Sequence, residues 1–356
     1  MLYEKLNEEV RKIQFTGNST YIISLPKKWI IEKGLKAGDS LFISKQNDSL
    51  ILTPKGLIKP IEPTEATIII SEQEDPNSII RKIVALYLVG YNLIRIKTKD
   101  KNITSLQKNF IKDLTRKKLV GTEIISETTN EMQLKVLLSY PELSVESALR
   151  RMHLITLSMH EDSLKALKDL NKKLAQNVII MDDEVDRFSI YIVRQLKAAV
   201  KNEKVLKDIG LSHMRDCLGY RVIVKFVERI ADHAVRIAEN VISLKERINE
   251  SIFQKISEIS LFAKSLFDSS MESLYKKDYI LADNIIAKVK KMVKTRDEFM
   301  KNIFEKADIT QILNIQMIIE SIFRTAEYAS DIAEIVLNLN IDKVVNDYKI
   351  MNNFKK

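Results

Sequence analysis

Two pairs of acids in the C-terminal half stand four residues apart, Asp182 with Asp186 and Glu228 with Asp232. At about 100° per residue both members of such a pair lie on one helical face. Their oxygens can therefore converge on one hard cation, which is the demand a shared metal site makes. Asp183 and Glu239 are further acids beside these pairs. The stretch around Glu228 recurs later without a gap: Arg229 aligns with Arg324, Ala231 with Ala326, Asp232 with Glu327, and Ile237-Ala238-Glu239 with Ile332-Ala333-Glu334. Glu327 and Asp331 are thus the acids of a second copy. The competing chemistry is plain charge balance, an acidic helix face answered by Arg229, Arg236 or lysines.

The elements that must carry these acids are helices. Ser144 has capping character before a helix running to about Asp169. A second helix begins near Leu174 and continues through Leu196, and Val224–Leu244 is the third. A second set covers Ile252–Lys276, Tyr279–Glu305 and Ile309–Leu339. Short polar connections predict antiparallel neighbours, hence two three-helix bundles in tandem. Alignment on Leu174-Ala175 with Leu281-Ala282 puts Val289, Lys290 and Val293 opposite Asp182, Asp183 and Asp186, so the second copy has lost half its acids.

Hydrolytic and redox constellations are missing. The sequence holds no Gly-x-x-x-x-Gly-Lys, Gly-x-Ser-x-Gly or His-Glu-x-x-His. None of His153, His160, His213 and His233 follows a Glu by three residues, so the Glu-x-x-His pairs of di-iron enzymes are absent. His233 falls about 100° off the carboxylate face and reads as a surface or bundle contact. A metal-dependent helical-bundle enzyme is therefore the weakest of the readings.

Upstream the texture changes. Arg11–Phe15 and Tyr21–Leu25 alternate as strands around Gly17-Asn18. Pro26–Lys33 is a short helix stopped by Gly34, and Leu41–Ser44 and Leu50–Thr53 flank the turn Gln46-Asn47-Asp48. Two hairpins around one helix bury too little surface to stand alone, so this unit needs a partner chain. Pro54–Pro63, with three prolines, reads as a linker. Ala66–Ser71, Pro76–Val89, Asn92–Lys97, Ser105–Leu119, Thr122–Ser126 and Met132–Leu138 then alternate strand and helix as a small α/β layer. Ser71-Glu-Gln-Glu-Asp75 replaces the Gly-rich loop that would cradle a phosphate there, which leaves a structural or dimerising spacer as the reading.

The expected fold class is accordingly multidomain and mainly α. It comprises an N-terminal hairpin β domain over 1–56, a small α/β domain over 64–140, and three-helix repeats over 144–244 and 245–340. With 356 residues, several domains are the prior. A single cysteine, Cys217, excludes an intrachain disulfide and fits a reducing compartment. The start Met1-Leu-Tyr-Glu-Lys5 lacks a signal-peptide pattern and no apolar run reaches membrane-helix length, so a cytoplasmic protein without membrane insertion is expected. The net charge of +9 suits an anionic partner or a merely solvated lysine-rich surface.

Two resemblances sharpen these expectations. The Arg11–Phe15 strand, Ile22-Ile-Ser-Leu-Pro26-Lys-Lys-Trp29 and Gly34-Leu-Lys-Ala-Gly38-Asp39 together resemble the SpoVT/AbrB swapped-hairpin family. That resemblance implies a homodimer of interleaved hairpins whose basic face meets DNA, with Arg11, Lys12, Lys27 and Lys28 as phosphate contacts. The duplicated three-helix units, Met181-Asp-Asp-Glu-Val-Asp186 and Glu228–Glu239 resemble the PhoU family of phosphate-uptake regulators. In combination they look like an archaeal-type hybrid regulator. The resemblance implies action with a phosphate ABC transporter or a signalling partner, binding at promoters of phosphate genes, and iron or zinc on Asp182, Asp186, Glu228, Asp232, Glu327 and Asp331. Arg236 departs from the family pattern, where Asn is usual, and brings a cation to the proposed ligands. A protein-only modulator of a phosphate transporter, whose N-terminal domain merely dimerises, is the alternative.

Overall fold

The N-terminal alternation folds into two antiparallel hairpins: β1 (Gln14–Thr16) with β2 (Thr20–Ile22), and β3 (Leu41–Gln46) with β4 (Ser49–Pro54). Between them lies α1 (Lys27–Glu32), which starts after Pro26. In the turn that follows, the Asp39 carboxylate accepts the Lys36 backbone N–H at 2.7 Å, which explains the acid in Gly34-x-x-x-Gly38-Asp39. This computed structural model describes residues 9–17, 19–46, 48–55, 64–137, 143–305 and 307–353. The expectations for Met1–Lys5, Asn18, Asn47, the linker beyond Lys55 and Leu138 lie outside those residues. The chain divides between Glu62 and Pro63 into two units.

In the second unit β5 (Glu65–Ile70) pairs in parallel with β6 (Leu93–Thr98), and β8 (Glu131–Val136) joins β6 antiparallel and carries β7 (Thr122–Glu127) at the edge. The sheet order is β5-β6-β8-β7. Helix α2 (Pro76–Val89) opens on an Asp75 cap with proline at its first position. It ends at Gly90, whose φ of 111° would strain any other residue. Helix α3 (Ser105–Lys118) has a full capping box of Thr104 and Gln107. The Gln107 amide also donates to Ser71 O at 2.9 Å and Glu74 O at 3.0 Å, fastening the loop where a phosphate cradle would have stood. Ile79, Ile83, Tyr87, Ile94, Ile96 and Ile111 fill this layer's own core.

The helical part runs α4 (Val145–Asp169), α5 (Lys172–Lys201), α6 (Glu203–Asp208), α7 (Asp216–Ser243), α8 (Glu250–Lys276), α9 (Tyr279–Lys294), α10 (Arg296–Phe304) and α11 (Ile312–Asn353). The duplication is visible in the backbone. Leu170 and Lys277 both take the left-handed conformation at a helix end. The next residues, Asn171 and Asp278, cap α5 and α9 by accepting from Leu174 N at 3.1 Å and Leu281 N at 2.9 Å. The repeats do not keep separate interiors. One apolar core runs through both, from Leu149 and Val185 to Phe267 and Ile322. Gly219 on α7 lets α11 approach closely, since a Cβ there would meet Leu339 at 2.9 Å. No helix among the described residues is long and apolar enough to cross a membrane.

Several boundaries differ from expectation: β1 is Gln14–Thr16 where Arg11–Phe15 was expected, and α11 runs to Asn353, past the expected end at Leu339. Helix α7 begins at Asp216, well before Val224, because Cys217 and Ile223 are already buried. A short α6 fills the connection before it, capped by Asn202. The expected helix Tyr279–Glu305 is broken at Thr295, whose hydroxyl donates to Met292 O at 2.8 Å and so competes with the helical ladder.

Candidate functional site

Helices α5 and α7 do bring the first set of acids together. Ser189 on α5 donates to Glu228 on α7 at 3.2 Å, and Lys225 holds the other Glu228 oxygen at 2.5 Å. Burial, reinforced by Asp186, Asp232 and Glu228, pushes the Asp182 carboxyl up to about 7. Its Oδ1 is buried without a hydrogen-bond partner. Asp232 is also raised, by burial first and then by Glu228. The two i, i+4 pairs thus meet across α5 and α7.

The cation that meets Asp186 arrives from outside the helical bundle. Lys118, the last residue of α3, places Nζ 2.7 Å from Asp186 Oδ2 and 3.4 Å from Asp183 Oδ1. Burial works against its charge, but Asp186 and then Asp183 outweigh it and hold the ammonium above the usual lysine range. Among the described residues no group of three or more His, Cys, Asp or Glu side chains could hold a metal ion. The geometry therefore fits an internal ion pair and does not fit an iron or zinc centre.

In repeat two, Arg324 pairs with Glu327 at 2.5 Å, Arg296 approaches it at 3.8 Å, and Arg324 also donates to the Tyr328 hydroxyl at 2.8 Å. Burial and then Glu334 raise Asp331. Opposite stands α9, where Val289 is buried and Lys290 is exposed.

Three of the four histidines lie at the seam between repeats. His160 on α4 bonds Ser260 on α8 at 2.8 Å, and His153 stacks edge-on against Phe267 at 5.0 Å. His233 lies against Tyr328 at 5.8 Å, off the acids as its spacing required. Burial depresses all three to about 4, so at neutral pH they are uncharged packing groups.

Arg194 makes a structural contact that the motif reading missed. It is buried on α5 and donates to Tyr91 O at 3.1 Å, Gly90 O at 3.3 Å, Asn92 Oδ1 at 2.6 Å and also Tyr87 O. It thereby caps the C-terminus of α2 from the neighbouring layer. The signal was present as a guanidinium inside the apolar run Tyr191-Ile-Val-Arg-Gln-Leu196. For Lys118 there was none, because its local sequence is an ordinary basic helix end.

In the N-terminal unit Arg11, Lys12, Lys27 and Lys28 are all exposed. Arg11 pairs with Glu9, and none of the three lysines meets an acid among the described residues. Phe15, Tyr21, Ile23, Phe42, Ile43 and Leu50 are exposed as well, and Pro54 is the one buried residue among those described in the unit.

Comparison with known proteins agrees with both halves. The PhoU domain model matches residues 149–241, and the model of the MazE bacterial antitoxin, described as antidote-toxin recognition, matches 14–59. A phosphate-specific transport system accessory protein PhoU homolog of Borreliella burgdorferi is 24% identical over 53% of this chain and 88% of its own length. One from Aquifex aeolicus is 29% identical over 36% of this chain and 56% of its own length. Among solved structures, PhoU from Pseudomonas aeruginosa covers 55% of this chain and 94% of its own at 23% identity and a TM-score of 0.47. The PhoU of Streptococcus pneumoniae covers 55% and 92% at 21% identity, also with a TM-score of 0.47. The chain thus carries a PhoU domain, matched over residues 149–241, preceded by a MazE/AbrB-like domain matched over 14–59.

Proposed function

We infer that the chain regulates phosphate uptake, with its helical part responding to the state of a phosphate transport system and its N-terminal unit acting on DNA as a homodimer in the cytoplasm. The observation that carries the first part is the PhoU match over 149–241, which contains both acid-bearing helix segments of repeat one. The relatives it aligns with are named accessory proteins of phosphate-specific transport. The protein works by binding; the residues brought together form ion pairs and packed histidines, not a nucleophile with a base.

The DNA-binding part rests on charge and exposure. Lys12, Lys27 and Lys28 carry charges that no described acid answers, as phosphate-contacting side chains require. The exposed apolar side chains of β1–β4 point to a second copy, because hairpins with so little of their own core need a partner to bury them. Regulation then requires that transporter or phosphate state favour one arrangement of the dimer over another.

The test is binding to promoter DNA of phosphate genes over a salt series. Each phosphate contact contributes about −0.9 to the slope of log K against log salt. Lys27→Ala/Lys28→Ala removes two contacts per chain, so a dimer's slope is expected to flatten by roughly 3–4. Equal affinity and slope in wild type and variant would remove the DNA reading. It would leave a protein-only modulator, a role the antidote-toxin recognition likeness of 14–59 also suits.

A further inference from the structure

At the seam, α4 of repeat one and α8 of repeat two enclose a cleft of about 360 Å3. Its polar floor is the bond between His160 and Ser260, both buried and 2.8 Å apart. His160 Nδ1 is buried with no hydrogen-bond partner. Burial keeps this imidazole uncharged at neutral pH. With Ser260 donating to Nε2, Nδ1 carries the proton and is a donor without an acceptor. Leu164, Phe253 and Leu261 form the apolar wall, and Lys165, Lys168 and Lys264 the rim. Glu161 pairs with Lys264, and Asp162 with Lys165 at 3.1 Å. Lys168 is exposed and meets no acid among the described residues. The end of α4 and the start of α8 meet here, so their dipoles offset and the lysines set the sign of the cleft.

We propose that this cleft binds a mononucleotide, with its phosphate on Lys168 and Lys165 and its base against Leu164 and Leu261, in reach of His160 and Ser257. The rim offers lysine ammoniums and no arginine fork, which suits a phosphate held by point charges better than a bidentate carboxylate. The volume lies near the lower end of the range for small-molecule sites, about 300–1,000 Å3, which leaves room for one ring system and its phosphate. A base has an apolar face for the leucines and a hydrogen-bonding edge for His160 and Ser257. Inorganic phosphate would leave both the apolar wall and the buried nitrogen unused. Because each repeat supplies one wall, the bound nucleotide ties the two repeats together at their seam. None of this rests on the regulatory reading above.

The experiment is equilibrium dialysis of the full-length protein against AMP, GMP, CMP and UMP, with inorganic phosphate as competitor. At least one nucleotide is expected to bind with micromolar affinity. Lys168→Ala is expected to weaken it about ten-fold, the loss of one charge-assisted contact. Ser257→Trp fills the cleft from its half-buried rim and is expected to abolish binding. Lys27→Ala/Lys28→Ala is expected to bind as wild type does, which separates this site from the basic N-terminal unit. No binding of any of them at millimolar concentration, equal affinity in Lys168→Ala and wild type, or equally tight competition by inorganic phosphate would overturn the proposal. If Ser257→Trp does not fold, acylation of wild-type lysines read by mass spectrometry decides. Saturating nucleotide is expected to slow the reaction of Lys168 and leave the exposed Lys117 unchanged, and an unchanged Lys168 would overturn the proposal.

Discussion

The two three-helix repeats use one helix pattern and balance its charge differently. In repeat two the acids of α11 are answered on the same helix by Arg324, with Arg296 from α10 beside it. In repeat one the acids of α7 face acids of α5, and Lys118 reaches in from another layer. The difference originates in the partner helix. Val289, Lys290 and Val293 of α9 align with Asp182, Asp183 and Asp186 of α5, so repeat two never accumulates the excess. An acidic motif on one helix therefore says little until the facing helix is known. Repeat one is closed by a lysine of another layer, repeat two by an arginine of its own helix.

The strongest way to break this contrast is at Arg194, which fastens repeat one to the α/β layer. Arg194→Ala leaves buried carbonyls and Asn92 without their donor, and is expected to cost about 3–4 kcal/mol in urea unfolding. A loss below about 1 kcal/mol would mean the layers are joined elsewhere.

Next comes the seam. His160 is fully buried and held at about 4 against an ordinary 6.5. A folded-state value below the unfolded one means the neutral form is the folded form. Its stabilisation is complete above pH 6.5 and is lost as pH falls toward 4, by about 3 kcal/mol. His160→Gln should flatten the acid limb of a stability–pH curve, and an unchanged acid limb would contradict the seam assignment.

Smaller still is Asp182. Its folded value of about 7 lies above the ordinary 3.8. The protonated form is favoured on folding, and stability falls as pH rises from about 4 through 7. Asp182→Asn should stabilise the protein at pH 8 by about 1 kcal/mol after allowing for solvent screening, with the gain fading by pH 4. Asp331→Asn should move in the same direction by less, because Arg324 stands beside it.

Much of the site was legible because helical spacing is local. The 3.6-residue period alone put Asp182 with Asp186, and Glu228 with Asp232, each on one face of its own helix, and kept His233 off the second; that the two faces meet came only from the packing of α5 on α7. The fold class and the alternating β and α/β segments followed from period and turn chemistry, as in the Asp75-Pro76 start and Gly90 stop of α2. Lys118 was not legible, because its partner Asp186 is distant in sequence and only packing of α3 on α5 brings them together. The break at Thr295 was hidden because Met292, Phe299 and Ile303 keep the apolar rhythm on both sides of it.

The central claim, that a PhoU-type sensor is joined to a DNA-binding dimer, is tested most directly by genome-wide DNA occupancy in phosphate-starved and phosphate-replete cells. The account predicts enrichment at phosphate-responsive promoters that changes with phosphate and is lost in Lys27→Ala/Lys28→Ala. Occupancy no higher than that variant's, or unchanged by phosphate, would contradict it.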